Sequence, residues 1–150
     1  MRAVVQRVSQ ANVSSNGENL AKIKEGLLVL LGISKTDTKD DVYWLSNKLA
    51  NLRVFNDSNN MMNISLKDSD GSAIVVSQFT LHAKIRKGNR PSYVKAANSD
   101  VAKSLYEQFI NQFEADLEKK VQSGKFGANM KVELTNDGPI TIIIDTKQRE

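Results

Sequence analysis

Gly26-Leu-Leu-Val-Leu-Leu-Gly-Ile33 is the stretch around which the rest of the sequence is organised. It is a short apolar run with a glycine near each end, and this pattern is typical of a strand covered on both faces. Residues 1–8 alternate roughly between apolar and polar side chains, which predicts another strand. The turn signal Ser14-Ser15-Asn16-Gly17 precedes a return strand predicted over residues 20–24. The sequence therefore predicts a sheet with residues 26–33 as its core strand.

Two helices are predicted from apolar side chains that recur at helical spacing. The first spans residues 39–52, after the N-cap candidates Thr36 and Thr38, and its apolar positions are Val42, Leu45, Leu49 and Leu52. The second follows the cap Asn98-Ser99-Asp100, and its apolar stripe is Val101, Leu105, Phe109, Phe113 and Leu117. We interpret this aromatic stripe as core rather than as a cofactor-binding motif. Strands and two helices in 150 residues indicate a single α/β or α+β domain over residues 1–150.

Further strands are predicted near the middle and at the end of the sequence. Residues 71–83 contain the apolar run Ile74-Val75-Val76 and then alternate, which predicts one strand that continues through Ser77-Gln78-Phe79-Thr80. Residues 131–134 and 140–145 are predicted as two closing strands, separated by a turn at Asn136-Asp137-Gly138-Pro139. The Gly138–Pro139 bond can be cis in such a turn, but only about 5–6% of X-Pro bonds are cis, so the sequence alone favours trans.

The composition excludes several kinds of site. The sequence is 40% hydrophobic and 25% charged, and it has no cysteine and a single histidine, His82. Disulfides, thiolate nucleophiles, cysteine-bound metals and multi-histidine metal sites are therefore excluded, and we expect neither a metal nor a cofactor. No run approaches the roughly 20 apolar residues of a membrane span, and residues 1–13 lack the apolar core of a signal peptide. We expect a cytoplasmic protein without a membrane partner.

Positive charge is concentrated in one segment of a sequence whose formal net charge is +4. Between residues 71 and 99 there is no acidic residue, while five cationic ones occur: Lys84, Arg86, Lys87, Arg90 and Lys95. Such a cluster is either a solvated loop or a surface that contacts phosphates, and the charge pattern alone does not choose between the two.

Few catalytic motifs are compatible with the sequence. It has no G-x-G-x-x-G and no Gly-Lys-Ser/Thr for a nucleotide-binding loop. A Ser-His-Asp triad would need His82, which on the predicted strand shares a face with Thr80 but lies too far from it for an unstrained hydrogen bond. The block Ser77-Gln78-Phe79-Thr80 is either an exposed strand end or a pocket wall that offers a hydroxyl and an amide to an ester or a ribose.

Taken together, the motifs resemble the D-aminoacyl-tRNA deacylase family over essentially the whole sequence. The similar stretches are Met1-Arg-Ala-Val-Val-Gln-Arg-Val8, Gly26-Leu-Leu-Val-Leu-Leu-Gly32, Asn51-Leu-Arg-Val-Phe55, Ser77-Gln-Phe-Thr-Leu81, Arg86-Lys-Gly-Asn-Arg-Pro-Ser92, Gly124-Lys-Phe-Gly-Ala-Asn-Met130 and Asn136-Asp-Gly-Pro-Ile-Thr141. The most specific part is the pair Ser-Gln-Phe-Thr and Asn-x-Gly-Pro-x-Thr. The resemblance implies a mixed α/β fold, with a largely antiparallel or barrel-like sheet and two main helices.

The resemblance also implies a homodimeric enzyme that hydrolyses the ester between a D-amino acid and the terminal ribose of tRNA. On this basis Gly138-Pro139 is expected to be cis and to reach into the partner's pocket near residues 77–80, where its main-chain oxygens exclude L side chains. Mischarged glycyl-tRNA is a further expected substrate, because glycine fits as well as a D-residue. The other residues implied in substrate binding and chiral selection are Arg7, which braces the turn, and the pocket-lining Phe126 and Met130.

Two mechanisms for residues 77–80 fit the resemblance. In one, the Thr80 hydroxyl attacks the ester carbonyl, which needs an activating base. In the other, the 2′-hydroxyl of the tRNA helps to activate water or the ester, and main-chain N–H groups around Phe79 and Thr80 stabilise the oxyanion. The lack of a triad-capable histidine favours the second, with Ser77 and Gln78 positioning the ribose and the carbonyl. The cations implied to contact tRNA phosphates are Lys84, Arg86, Lys87 and Arg90.

Two other functions are compatible with the same residues. A non-catalytic nucleic-acid-binding module would use the basic segment, with Phe79 and Tyr93 as stacking aromatics. A metal-free hydrolase of small D-amino-acid esters would act without RNA. Hydrolysis separates the deacylase from the binding module, and a requirement for tRNA separates it from the small-ester hydrolase.

Overall fold

The computed structural model describes residues 1–149, which form a curled six-stranded sheet, a small hairpin and two main helices. The strands are β1 (Arg2–Ser15), β2 (Glu18–Ile23), β3 (Gly26–Gly32), β4 (Phe55–Asn56), β5 (Met62–Ile64), β6 (Ser72–Ser77), β7 (Gln122–Ser123) and β8 (Lys131–Asp145). The helices are α1 (Lys39–Ala50) and α2 (Ser99–Leu117), and a short 3-10 helix, here called the Phe79–His82 turn, follows β6. The predicted mixed α/β class, with two main helices and a barrel-like sheet, is confirmed.

β1 organises the sheet because it is long enough to pair with three strands. β8 runs antiparallel along one edge of β1, while β3 and then β2 pair with the other edge. β6 lies parallel to β3, and β7 lies parallel to β6. The sheet curls until β7 meets β2, where the Gln122 side chain accepts from the Lys22 N–H and donates to the Lys22 carbonyl, each at 2.7 Å. The result is a nearly closed barrel.

The predicted core strand is confirmed, because every residue of β3 except Leu30 is buried. The return strand is confirmed as β2. The first strand is longer than predicted. It continues past residue 8 and ends at Ser15, because both β2 and β8 pair with its second half.

The prediction of two closing strands was wrong, because residues 131–145 form the single strand β8. On either side of an interruption β8 pairs with β1, so that Asn136 lies opposite Val8 and Thr141 lies opposite Gln6. Residues 137–140 have no partner in this register and leave the ladder as an excursion, here called the Gly138–Pro139 loop. The predicted turn is therefore a bulge within one strand rather than a link between two.

Both helices begin at their predicted caps. The Thr38 N–H donates to Asp41 Oδ2 at 2.8 Å before α1, and the Asn98 side chain accepts from the Val101 N–H at 3.0 Å before α2. Four residues of the predicted α2 stripe are buried: Leu105, Phe109, Phe113 and Leu117. The prediction that Val101 belongs to the core was wrong, because the first turn of α2 borders open clefts and leaves this side chain 44% exposed.

Two apolar clusters lie on opposite faces of the sheet. The larger one joins the sheet to both helices, and its bulkiest members are Phe109, Phe113, Leu27, Leu31, Leu45 and Leu49. The smaller one is enclosed by the curl of the sheet and contains Val8, Ala11, Val13, Ala21, Ile23, Leu28, Ile74 and Val76. Each fully buried aliphatic or aromatic side chain contributes about 1.5–3 kcal/mol, so these clusters stabilise the barrel. Among residues 1–149, neither helix has the length and apolar character needed to cross a membrane.

Candidate active site

An open pocket of about 500 Å³ lies where β3 and β6 end, between the start of α2 and the loop that precedes β8. Ligand pockets commonly measure roughly 300–1,000 Å³, so this one is large enough for a small-molecule ligand. Five residues predicted for the site line it: Ser77, Gln78, Phe79, Phe126 and Met130. Within residues 1–149, His, Asp and Glu side chains form no group of three or more suited to hold a metal ion.

The strand predicted over residues 71–83 was wrong beyond Ser77, where β6 ends. β6 loses its partner because β3 also ends, and the last bond between the two segments runs from the Gln78 N–H to the Leu31 carbonyl at 2.8 Å. The chain then turns, and the Leu81 N–H donates back to the Gln78 carbonyl at 3.3 Å. The second half of the predicted polar block therefore lies on a 3-10 helix and not on a strand.

Gly32 supports this turn and was missed as a functional residue. A Cβ atom placed on Gly32 would lie 2.9 Å from the Gln78 carbonyl oxygen and 3.0 Å from the Leu81 Cβ. These separations are shorter than ordinary contacts, and one of the neighbours is backbone, so a larger residue would displace the turn. The available signal was the position of this glycine at the end of the apolar run.

The Phe79–His82 turn orients the groups expected to act on a substrate. The Gln78 amide donates to Thr80 Oγ1, so the Thr80 hydroxyl is engaged by an amide. Phe79 and Thr80 begin the turn, and the first N–H groups of a helical turn have no acceptor within it. Phe79 lines the pocket and Thr80, the next residue, does not, so these two N–H groups are main-chain donors beside the pocket.

His82 is not arranged as a catalytic base for Thr80. The prediction that the two side chains share a strand face was wrong, because residues two apart on a 3-10 helix point in different directions. His82 is only 7% exposed, and within residues 1–149 its Nε2 has no hydrogen-bond partner. Its Cδ2 would lie 3.2 Å from a Cβ on Gly32, so the ring packs beneath the turn.

Phe126 and Met130 form an apolar side of the pocket. The Phe126 ring packs against Tyr106 with 5.7 Å between the ring centroids. The Tyr106 hydroxyl donates to the Val75 carbonyl at 2.8 Å, and burial raises the pKa of Tyr106, so that it stays a protonated donor. Met130 packs against Gly124, where an added Cβ would lie 2.5 Å from the Met130 Sδ. This side of the pocket is therefore closely packed.

The basic segment borders the rim of the pocket. Phe79 is 56% exposed at the rim, and its ring meets Tyr93 edge-on with 4.9 Å between the centroids. Two backbone hydrogen bonds between Lys84 and Ser92, of 2.8 and 3.0 Å, close the loop that carries the cations. The cations predicted to contact tRNA are exposed on this loop and outside the pocket lining: Lys84, Arg86, Lys87 and Arg90.

The Gly138–Pro139 loop does not line the pocket of its own chain. The peptide bond between Gly138 and Pro139 is cis, and Gly138 has a φ of +119°, a conformation that favours glycine. Asn136, another residue that was missed as functional, closes the base of the loop. Its Nδ2 donates to the Ile140 carbonyl at 2.9 Å, and its Oδ1 accepts from the Thr141 hydroxyl at 3.0 Å.

Arg7 lies beneath the loop, with a side chain that is 9% exposed. Its Nε is 3.2 Å from Asp137 Oδ2, and its Nη1 donates to the Val54 carbonyl at 2.8 Å. The Asn136 amide also donates to the Arg7 carbonyl at 3.0 Å. The predicted site residues of one chain thus form three groups: one around the pocket, the cations on the neighbouring loop, and one around the Gly138–Pro139 loop.

Comparison with known proteins identifies the class to which this fold and pocket belong. A family model described as D-Tyr-tRNA(Tyr) deacylase matches residues 4–145. The chain therefore belongs to this family of hydrolases.

Individual relatives specify the activity. A D-aminoacyl-tRNA deacylase of Flavobacterium psychrophilum is 56% identical over 150 residues and covers 100% of both chains. One of Bacteroides fragilis is 52% identical with the same coverage. Among solved structures, the c-Myc DNA Unwinding Element Binding Protein has a TM-score of 0.91 and 40% identity, covering 97% of this chain and 99% of that one. The resemblance seen in the sequence is confirmed, and the chain is an enzyme of the D-aminoacyl-tRNA deacylase kind.

Proposed function

We propose that the enzyme selects its substrate by handedness, with the pocket of one subunit and the Gly138–Pro139 loop of a second. The observation that carries this proposal is the separation of the two motifs. The pocket beside Ser77 and Gln78 is open, whereas the loop is braced by Arg7 and Asn136 but lines no part of that pocket. A braced loop that its own chain does not use is available to complete the pocket of another copy.

A homodimer would supply that second copy. Among the strands of residues 1–149, β8 pairs with β1 alone, which leaves one edge of a 15-residue strand unpaired. Ile140, Ile142 and Ile144 on one face of β8 are only half-buried. Ile143, on the other face of the strand, is 70% exposed. Unpaired apolar edge strands associate readily, so we expect β8 to take part in the dimer contact.

For the chemistry we favour the route without a protein nucleophile. The Thr80 hydroxyl accepts from Gln78, and within residues 1–149 it has no His, Asp or Glu as a hydrogen-bonded base. Water forms a bond to the ester carbonyl carbon, the bond from that carbon to the ribose oxygen breaks, and a proton passes to the ribose oxygen. The Phe79 and Thr80 N–H groups stabilise the oxyanion, while the tRNA 2′-hydroxyl helps to activate the water.

Chiral selection follows from which substituent meets the loop. The main-chain oxygens of Gly138 and Pro139 clash with an L side chain, whereas a D-amino acid directs only its hydrogen there. Glycine has no side chain, so mischarged glycyl-tRNA is hydrolysed as well. Selection of this kind works by exclusion and needs no favourable contact with the D side chain.

The exposed cations beside the pocket would bind the tRNA backbone, and a tRNA substrate is consistent with a cytoplasmic enzyme. Replacing Lys84, Arg86 and Lys87 together by Gln should weaken tRNA binding and lower the slope of log affinity against log salt by about 2–3. An unchanged slope would mean that the phosphate contacts lie elsewhere.

The first test is deacylation of D-Tyr-tRNA, L-Tyr-tRNA and glycyl-tRNA by the purified protein with a chelator present. We expect rapid release from the D and glycyl forms and persistence of the L form. Pro139→Ala should raise release from L-Tyr-tRNA relative to D-Tyr-tRNA, and Pro91→Ala should leave that ratio unchanged. Undiminished rejection of the L form by Pro139→Ala would contradict the role of the loop. Sedimentation at assay concentration should give a dimer, and a monomer that still rejects L-Tyr-tRNA would contradict the shared site.

A second candidate function is nucleic-acid binding without hydrolysis. It is favoured by the exposed pair Phe79 and Tyr93 beside the cationic loop, because aromatic faces and cations together bind single strands. The name of the c-Myc DNA Unwinding Element Binding Protein also describes binding to DNA. Binding of tRNA or single-stranded DNA without release of either amino acid would favour this function. Release from small D-amino-acid esters at the rate seen with tRNA would instead indicate an RNA-independent esterase.

A further inference from the structure

Arg2 joins the Phe79–His82 turn to two strands of the barrel. Its Nη1 donates to the Leu81 carbonyl at 2.8 Å. Its Nε and Nη2 donate to Asp145 Oδ2 at 3.0 and 2.8 Å. In the sheet, Arg2 lies opposite Gly32 on β3 and opposite Asp145 on β8. A single guanidinium therefore connects the end of β8 to the turn beside the pocket.

The two ends of the Phe79–His82 turn are held by different contacts, and Arg2 holds the later end. The beginning of the turn is held by the bond from the Gln78 N–H to the Leu31 carbonyl, and Gly32 lies beneath it. Arg2 binds the third residue of the turn, through the Leu81 carbonyl. A cation is favoured at this end, because the last carbonyls of a helical turn carry partial negative charge. With both ends attached, the turn is held against rotation.

We propose that Arg2, oriented by Asp145, is a positioning residue that holds the Phe79 and Thr80 N–H groups where the ester oxyanion forms. Arg2 acts through the turn and is not itself a catalytic residue. The proposal rests on the proposed function, because it takes these N–H groups to be the oxyanion donors. Small displacements of such donors reduce the rate strongly, since their contribution depends on preorganised geometry.

An arginine suits this position better than a lysine. The planar guanidinium makes all three hydrogen bonds at fixed angles, whereas an ammonium group on a flexible stem does not match this geometry. The side chains of Arg2 and Asp145 are 36% and 16% exposed, so water screens the pair only in part. Asp145 keeps the guanidinium in the plane that reaches Leu81, and its effect on the reaction passes through Arg2.

The test is single-turnover deacylation of D-Tyr-tRNA by the full-length wild type, Arg2→Gln, Asp145→Asn and the double variant. We expect Arg2→Gln to lower the rate at saturating enzyme about 10- to 100-fold, the loss associated with a misplacement near 1 Å. The concentration for half-maximal rate should change less than about threefold, because tRNA contacts are untouched. Asp145→Asn should cost less, and the double variant should match Arg2→Gln. Arg2→Lys should recover part of the rate.

Arg53→Gln is the matched control. The Arg53 Nε donates to the Asn63 carbonyl on β5 at 2.8 Å, so Arg53→Gln makes the same change of charge as Arg2→Gln and removes one exposed bond from an arginine to a main-chain carbonyl. We expect it to deacylate at the wild-type rate. The melting temperature of every variant is measured alongside. If Arg2→Gln does not fold, Asp145→Asn and Arg2→Lys carry the test, because both keep part of the connection.

Three results would overturn the proposal. These are a wild-type rate for Arg2→Gln, a loss expressed only as weaker binding, and a double variant whose loss is the product of the single losses. A wild-type protein that releases no D-tyrosine would contradict the proposed function itself, and this outcome is read from the wild type alone. The two failures are therefore distinguishable.

Discussion

The Phe79–His82 turn follows the end of strand β6, whereas the Gly138–Pro139 loop interrupts strand β8, and the two are supported in different ways. The turn is held at both ends, by the bond from the Gln78 N–H to the Leu31 carbonyl and by Arg2, and it packs closely over Gly32. The loop is held at its base, where Asn136 and Arg7 bind it, while residues 137–139 are exposed. The turn faces a pocket of its own chain, and the loop does not.

This difference suggests a division of labour between the two regions. A turn held at both ends keeps its N–H groups preorganised, which is the property needed to stabilise charge in a transition state. A loop fixed at its base presents main-chain oxygens without further ordering, which is the property needed to exclude a substrate by shape. We therefore expect substitutions around the turn to change the rate on every substrate, and substitutions around the loop to change the preference between D and L.

Gly32→Ala should have the largest effect. The added Cβ would lie 2.9 Å from the Gln78 carbonyl oxygen, so the turn must move, and a shift near 1 Å costs about 100-fold in rate. The measurement is single-turnover deacylation of D-Tyr-tRNA and glycyl-tRNA, and both rates should fall together. Gly17→Ala is the control for a strained glycine substitution outside the turn, because its φ of +79° disfavours alanine while an added Cβ meets no atom within 4 Å, and its rate should stay at the wild-type value. A Gly32→Ala enzyme with a normal rate would show that the turn tolerates displacement.

Asn136→Ala should act mainly on selectivity. It removes the side-chain hydrogen bonds that close the base of the loop, so the loop loses its fixed position. We expect the ratio of D-Tyr-tRNA to L-Tyr-tRNA deacylation to fall about tenfold and the free energy of unfolding to fall by about 1–3 kcal/mol. Thr141→Val removes only one of these bonds, so its ratio of D-Tyr-tRNA to L-Tyr-tRNA deacylation should lie between those of Asn136→Ala and the wild type. Equal losses on both substrates would contradict the separation of the two regions.

Thr80→Ala should have a smaller effect on the rate. If main-chain groups and the tRNA 2′-hydroxyl carry the reaction, removing the hydroxyl should cost less than about tenfold in single-turnover rate. Thr80→Ser keeps the hydroxyl and serves as the control. A loss of several orders of magnitude in Thr80→Ala, with Thr80→Ser active, would instead identify Thr80 as the nucleophile.

Asp145→Asn should have the smallest effect, which is a pH-dependent decrease in the free energy of unfolding. Burial tends to raise the pKa of Asp145, but hydrogen bonds from the Lys147 N–H and from Arg2 outweigh it and hold this pKa below its ordinary value. Because the folded-state pKa is the lower one, the stabilisation is present above about pH 4 and is lost as the pH falls through the folded-state pKa.

The measurement is urea denaturation of the wild type and Asp145→Asn from pH 7 to pH 3. The difference in their free energies of unfolding should be largest near neutral pH and should shrink below about pH 4. A difference that does not vary with pH would mean that the charge of Asp145 does not contribute to holding Arg2.

The elements with strong local patterns were predicted well. The apolar run of β3 and the stripe of α2 can be buried in only one way, because their apolar periodicity matches the geometry of the element. The prediction of a strand over residues 71–83 was wrong after Ser77. The alternation of Phe79 and Leu81 suggests that the strand continues, but its partner β3 ends there, and the local sequence does not show this. Gly32 was missed for a related reason, since it contacts the distant residues 78, 81 and 82. Asn136 was missed because its bonds to Ile140 and Thr141 form where the pairing of β8 with the distant strand β1 is interrupted.

The linear pattern of side chains thus determined the core strand, both helices, the basic segment and the family, because these depend on local periodicity, charge and motif. Long-range pairing determined where the strands stop and what their ends contact. The length of β1 makes β8 one strand with an excursion, and the end of β3 makes the Phe79–His82 turn. Neither outcome is encoded within either segment alone, because a strand continues only as far as its neighbour supplies hydrogen-bond partners.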